Sequence, residues 1–197
     1  MVSVGSQFYD NDENFEKYME RRYGKENAND TLEKPVILDL VGGFKGMKIL
    51  DLGCGDATLG LEALNEGCQE YLGIEGSINM VEAANKTLKD TTGKVVHTTM
   101  ESWDFPSNYY NLVISRLAIH YLEEIELIFS KIYKLHKSDG RFIFSVEHSV
   151  ITSTLQPSGT RTNWIVDNYF INGFREQQWL GGNVYKFPLI FIFSGRK

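Results

Sequence analysis

From residue 47 onward, short apolar runs alternate with stretches whose apolar residues recur at helical spacing. Met47 to Leu52, Tyr71 to Ile74, Lys94 to Thr98, Tyr110 to Ser115 and Arg141 to Val146 read as five strands. Between them, Ala57 to Asn65, Ser77 to Lys89 and Glu123 to Lys137 read as helices. The third helix carries Ile125, Ile128, Ile132 and Leu135 on one side, with His136-Lys137 in its last turn, where positive charge meets the negative end of the helix dipole. Gly67 closes the first helix, and Asp139-Gly140 turns the chain into the fifth strand. Strand and helix in strict alternation imply right-handed βαβ units. The expected fold is therefore α/β, a doubly wound, Rossmann-like and mostly parallel sheet with helices on both faces.

The flanks follow a different pattern. Phe15, Tyr18, Met19 and Arg22 fall at helical spacing within a polar, aromatic segment, and Pro35 opens a second short helix that Gly42-Gly43 ends. After residue 150 the alternation stops, and residues 151–182 are rich in Thr, Ser, Asn and Gly. Trp164, Tyr169, Phe170, Phe174 and Trp179 give this excursion enough aromatic surface to pack. The expected organisation is a single domain over 1–197. It has an N-terminal helical cap at 1–45, a ligand-binding core at 46–150 and a substrate-side excursion at 151–185.

Composition narrows the function. The chain has 197 residues and a net charge of −6. That balance argues against a broad electrostatic grip on nucleic acid or on anionic membrane, since both need clustered positive charge. The first twenty residues carry Asp10, Asp12, Glu13 and Glu16 where an export signal would be apolar, and no apolar run approaches membrane-spanning length. Cys54 and Cys68 are the two cysteines, with neither CxxC nor HExxH spacing. The expectation is a cytoplasmic protein with reduced thiols and no metal site.

Ligands of doubly wound sheets bind at the carboxyl ends of the strands, near the point where strand order reverses. That rule selects residues 53–57, 75–80, 99–101, 115–121 and 147–152. The first of these lies in Lys48-Ile-Leu-Asp-Leu-Gly-Cys-Gly-Asp-Ala-Thr58, where Gly53 and Gly55 let the backbone turn sharply and let a ligand approach it. A glycine turn alone is equally a tight strand-to-helix connection. Glu75, closing the second strand, adds a carboxylate able to accept hydrogen bonds from both hydroxyls of a ribose. Met100-Glu101 stands where an adenine edge could be read, and Ser115 begins the segment that would floor the pocket. Asp51 and Asp56 bracket the glycines. Two acids suit a cationic ligand better than the diphosphate of a dinucleotide, which prefers an uncompensated helix N-terminus.

These residues resemble the class I S-adenosylmethionine-dependent methyltransferases. Asp51-Leu-Gly-Cys-Gly55, the acid Glu75 and Ser115-Arg-Leu-Ala-Ile-His-Tyr121 carry the resemblance, which is closest to the small-molecule branch that includes ubiquinone-biosynthesis-like enzymes. The resemblance implies that S-adenosylmethionine is the cofactor and that Asp51, Gly53, Cys54 and Gly55 hold its methionine moiety. It further implies ribose binding at Glu75 with Gly76 and Ser77 beside it, adenine near Met80, Met100 and Glu101, and a cover from Tyr18 and Arg22. Thr99 stands where many members carry an acid, and Ser149 where they carry proline. In similar sequences two further strands end the sheet, whereas Phe187 to Lys197 holds one strand's worth of apolar residues. A sheet with an incomplete C-terminal edge, and self-association through that edge, are therefore expected.

Methyl transfer is chiefly a matter of alignment, so catalytic groups are harder to read than cofactor groups. His120 and the adjacent pair Glu147-His148 end the fourth and fifth strands and are the candidate catalytic residues, the pair serving as base and orienter. Tyr169, Arg175 and Trp179 are candidates for the acceptor pocket. The expected activity is methyl transfer to a small-molecule acceptor. A protein or RNA acceptor, or a chain that binds S-adenosylmethionine or S-adenosylhomocysteine without turnover, are the alternatives.

Overall fold

The computed structural model describes residues 3–24, 27–104, 106–152, 163, 165–166, 169–170, 173 and 175–186. Five strands form a wholly parallel sheet: β2 (Lys48–Leu52), β3 (Glu70–Glu75), β4 (Lys94–His97), β5 (Tyr110–Arg116) and β6 (His136–Ser145), in the spatial order β4-β3-β2-β5-β6. The chain runs outward from β2 through β3 to β4, then returns to the other side of β2 for β5. The order therefore reverses between β2 and β5, and a crevice opens there above the strand ends.

β2 is central and buried on both faces, so it reads as a continuous apolar run, Ile49-Leu-Asp-Leu52. Its alternation still sorts two cores. Ile49, with Leu112, Ile114 and Ile143, packs under helices α2 (Lys34–Val41), α3 (Thr58–Asn65) and α4 (Ile78–Thr87). Leu50 and Leu52, with Ile74 and Val113, pack against Ile128, Ile132 and Leu135 of α5 (Ile125–Leu135) on the opposite face. The helices do lie on both faces, as the alternation implies. Each of the five strands expected from the sequence is present, with ends shifted by a few residues.

The join between α5 and β6 differs from the expectation. The helix stops at Leu135, and His136 already pairs with Tyr110. The register then slips, so that Leu112 faces Arg141 and the intervening residues around Asp139-Gly140 form an irregularity within the strand.

The N-terminal segment is more than a helix resting on the body. Gly5–Asp10 makes a tight 3₁₀ stretch, and α1 (Asp12–Arg22) starts at Asn11, whose side chain accepts from the Asn14 amide. β1 (Ser3–Val4) pairs in parallel with β8 (Gly182–Lys186), which forms an antiparallel hairpin with β7 (Arg175–Trp179). The hairpin turns at Leu180-Gly181, both at positive φ, the geometry whose twist matches paired strands. A short helix, α6 (Ser149–Thr152), follows β6. The apolar tail Phe187–Lys197, on which the incomplete sheet edge and the self-association were expected, lies outside the described residues, as do Trp164 and Phe174. Among the described residues, no helix is long and apolar enough to cross a membrane.

Candidate cofactor and acceptor site

Above the β2–β5 switch point lies a cavity of about 320 Å3, within the range of small-molecule sites. Strand ends build its floor. Gly53 and Cys54 both donate their amides to the Ile74 carbonyl, at 2.8 and 3.1 Å, which ties the glycine loop to β3. Gly53 has φ +73°, and a Cβ there would come within 2.5 Å of Ala118 Cβ. The loop thus passes the β5 end at a distance only glycine permits. The Cys54 thiol packs over Gly73, a space-filling role.

Two carboxylates on the floor are buried, with different support. Glu75 Oε2 accepts from the Gly55 amide at 2.9 Å and Oε1 from the Ser77 amide at 3.0 Å. Burial raises its pKa, and those backbone amides pull it back. The Gly76 amide adds to that pull, and the two oxygens, with four lone pairs between them, have room for a further donor. Asp51 sits at the centre of the sheet, where burial raises its pKa to about 7 against the lowering effect of the Tyr71 hydroxyl, which donates to Oδ2 at 2.8 Å. Tyr71 reaches Asp51 because Gly60 of α3 leaves room for its ring; a Cβ at Gly60 would lie 2.3 Å from Tyr71 Cζ.

Asp56, the second acid beside the glycines, is committed elsewhere. Its Oδ1 accepts from the Thr58 amide and hydroxyl, at 3.2 and 2.9 Å, and its Oδ2 from Tyr23 at 2.7 Å. It borders the cavity but serves to start α3.

The walls come from the N-terminal segment and the hairpin. Ser6, Gln7 and Tyr9 line the cavity, and a Cβ on Gly76 would strike Ser6 Oγ at 2.5 Å. Asp10 accepts from the Ile78 amide at 2.9 Å, and Asn79 donates to Tyr9 O and Asp12 Oδ1, both at 3.1 Å, which clamps the segment to the start of α4. Tyr18 and Arg22 line the cavity from α1. Arg22 is held by Asp30 and by Thr58 Oγ1, the latter at 3.0 Å. Arg116, at the end of β5, donates from Nε to Glu33 Oε2 at 2.9 Å and from Nη2 to Asn29 O at 3.1 Å.

At the other end of the cavity, His120 is buried with its ring tilted on Tyr121 at 4.4 Å. Burial and the Lys186 ammonium lower its pKa to about 3. Its Nδ1 accepts from the Glu147 amide at 3.5 Å, while Nε2 is buried and unpartnered. Glu147 Oε1 accepts from Lys186 Nζ at 2.6 Å, and Oε2 is likewise buried without a partner. Lys186 is 1% exposed and lies 4.7 Å from the Trp179 ring and 5.5 Å from the Tyr121 ring.

The sequence-selected residues divide cleanly. Tyr18, Arg22, Asp51, Gly53, Cys54, Gly55, Glu75, Gly76, Met80, Met100, Glu101, His120 and Glu147 all line the one cavity, with Trp179. Ser77 and Ser115 do not. Ser77 caps α4, and Ser115 is fully buried with its hydroxyl on Leu52 O at 2.7 Å. His148 is exposed and its Nδ1 accepts from the Val150 amide at 3.2 Å, so the expected Glu147-His148 pair is not formed; Glu147 pairs with Lys186 instead. Adjacent residues leaving a strand point in different directions, which spacing alone does not resolve. Tyr169 packs its hydroxyl on Ser149 Oγ at 2.9 Å, outside the cavity wall. Sequence reasoning missed Ser6, Tyr9 and Lys186. Arg116 falls inside the selected segment 115–121, and the structure gives it a place in the cavity wall.

Residues 50–144 match the methyltransferase domain family. An uncharacterized protein of Haemophilus influenzae is 31% identical over 192 residues, 91% of this chain and 74% of its own. Among solved structures, a Listeria monocytogenes protein assigned to the S-adenosylmethionine-dependent methyltransferases shares 30% identity at a TM-score of 0.75, over 83% of this chain and 77% of that one. An S-adenosylmethionine-dependent methyltransferase from Mesorhizobium loti shares 27% identity at 0.73, over 80% and 74%. The chain belongs to the class I S-adenosylmethionine-dependent methyltransferases, and S-adenosylmethionine is its cofactor.

Proposed function

We propose that the cavity seats S-adenosylmethionine along the β2–β3–β4 strand ends and receives a small-molecule methyl acceptor at the His120–Glu147–Trp179 end. The observation that carries this reading is Glu75. Its buried carboxylate is preorganised by the Ser77, Gly55 and Gly76 amides and retains acceptor capacity for a ribose hydroxyl. Gly55 fits the methionine side: its φ is +55° and nothing lies within 4 Å of where a Cβ would stand, so the loop backbone is open to a ligand. Asp51 supplies negative charge for an amino group, and Met80, Met100 and Glu101 border the adenine end. Bound there, S-adenosylmethionine supplies an electrophilic methyl group. The chain's own residues bind, orient and exclude water.

A small acceptor is favoured by the cover. Gly5–Asp10, α1 and the β7–β8 hairpin wall the site, so the reacting atom must come inside to meet the methyl group. The acidic balance gives no basic path for nucleic acid. A cytoplasmic setting accords with the two free thiols of Cys54 and Cys68. Calorimetry with S-adenosylhomocysteine tests the cofactor placement: Glu75→Ala should cost roughly 1.5–3 kcal/mol of affinity, the range of hydrogen bonds to charged groups. Unchanged affinity removes the ribose from Glu75. Radiolabelled methyl recovered in protein or RNA, with none in the low-molecular-weight fraction of a cell extract, overturns the small acceptor.

A further inference from the structure

We infer that the methyl acceptor presents a hydroxyl group to this enzyme, seated between His120 and Glu147, with Glu147 taking the hydroxyl proton. The inference rests on the site reading given above and names the chemistry of its acceptor end.

The hydrogen bonds fix which nitrogen of His120 carries the proton. Nδ1 accepts from the Glu147 amide at 3.5 Å. A neutral imidazole has one donor and one acceptor, so Nε2 is the donor. That Nε2–H is buried and unpartnered. Glu147 Oε2, an acceptor, is buried and unpartnered as well, while Oε1 is held by Lys186. A buried polar atom without a partner costs about 1–3 kcal/mol, and native structures contain few. Three such atoms belong to residues lining this cavity; the Trp179 Nε1–H interacts with the Tyr9 hydroxyl, and the other two, one donor and one acceptor, define the group that would satisfy both.

That group must accept one hydrogen bond, donate another, and still attack carbon. A hydroxyl oxygen has two lone pairs and one proton. One lone pair takes the His120 Nε2–H, the proton goes toward Glu147 Oε2, and the second lone pair remains for the methyl group. An amine nitrogen has a single lone pair. Using it on His120 removes the nucleophile, and using it on the methyl group leaves Nε2–H orphaned. A carbon nucleophile offers neither partner.

The electrons balance without a further reactant. The acceptor oxygen forms a bond to the methyl carbon, the sulfur–carbon pair stays on the sulfur of S-adenosylhomocysteine, and the hydroxyl proton passes to Glu147. As the oxygen acquires its second carbon the proton becomes strongly acidic, so a carboxylate is a sufficient base. Lys186 acts as a positioning residue, holding Oε1 at 2.6 Å and leaving Oε2 for the proton.

Two measurements decide this. With the S-adenosylhomocysteine-bound protein, long-range 15N–1H spectra of labelled histidine should show His120 neutral and protonated at Nε2 from pH 6 to 8. Protonation at Nδ1, or an imidazolium, overturns the assignment. With methyl-13C S-adenosylmethionine and a panel pairing phenols and alcohols with the amines of the same skeletons, the label should appear on oxygen. Glu147→Gln should lower that transfer about 100-fold or more, while S-adenosylhomocysteine still binds. Since Glu147→Gln strands Lys186, Glu147→Gln/Lys186→Met is the companion variant, removes both charges of the pair, and should be equally slow. Label on nitrogen or carbon, no label on any hydroxyl compound, or full transfer in either variant overturns the inference. S-adenosylhomocysteine affinity, measured on the same samples, separates these failures from a failure of the cofactor placement.

Discussion

The Tyr71 hydroxyl reaches across from β3 to donate to Asp51 Oδ2 at 2.8 Å, with both side chains almost wholly buried. Asp51 stands at the cofactor loop, and this phenol, with the Arg116 guanidinium, eases its ionisation. Burial holds its pKa at about 7, well above its ordinary 3.8. The ionised form is therefore incomplete at neutral pH, and a cationic ligand must complete it.

It follows that S-adenosylmethionine affinity should rise as pH rises through 7. Binding at pH 6 should release about one proton, since Asp51 is mostly protonated in the free protein and ionised in the complex. Calorimetry in two buffers of different ionisation enthalpy measures the release. Tyr71→Phe removes the bond that lowers the pKa, so the midpoint should move upward. No proton release at pH 6 would place the cationic group away from Asp51.

Gly60→Ala should destabilise the fold although alanine favours helix. The new Cβ would meet the Tyr71 ring at 2.3 to 2.7 Å. Overpacking of this kind costs typically ~1–3 kcal/mol, more than the ~0.5–1 kcal/mol gained in helix propensity. Urea denaturation should show the loss, and Gly60→Ala/Tyr71→Phe should not restore it, because the ring itself obstructs.

Much of this was legible beforehand, and the boundary is physical. The central strands announce themselves because Ile49 to Leu52, Tyr71 to Ile74 and Leu112 to Ile114 are largely buried and, Asp51 apart, apolar or small. Gly53, Gly55 and Glu75 follow, since strand ends are where such sheets bind ligands. The Gly5–Asp10 wall does not follow. Its docking depends on Ser6 against Gly76 and on Asp10 at the start of α4, 68 residues away, contacts that no local pattern encodes. Lys186 is similar: a lysine in a short polar strand reads as solvated, and only the tertiary structure brings it to Glu147. The β7–β8 hairpin hid behind a turn with leucine at positive φ, where asparagine or glycine is the usual signal.

Lys186→Met should cost about 3 kcal/mol or more, because it leaves the Glu147 carboxylate buried and uncompensated. Adding Glu147→Gln should recover most of that loss. Unfolding curves of the unsubstituted protein, both single variants and the double variant, compared as a cycle, measure the coupling. A loss in Lys186→Met that the second substitution leaves untouched would assign the effect to the Trp179 and Tyr121 rings instead.

His120 contributes a stability that disappears in acid. Its folded pKa, about 3, lies below the ordinary 6.5, so the unfolded chain binds the extra proton throughout that window. Unfolding free energy should therefore be fully present above pH 6.5 and fall as pH drops toward 3, by up to about 1.4 kcal/mol per unit. His120→Gln should flatten the profile between pH 6 and 4. An unchanged slope would mean that other groups set the acid limit.

The pairing of β1 with β8 joins residues 3–4 to residues 184–185. A ribosome delivers the first of these partners before the five-stranded sheet and the second after it. Strands Lys48–Leu52 through His136–Ser145 can assemble as they emerge, and domains do fold as their segments become available. Ser3–Val4 has no strand to join until Gly182–Lys186 has left the exit tunnel. The hairpin side of the wall is therefore completed after the strand-end floor, and Lys186 reaches Glu147 only then.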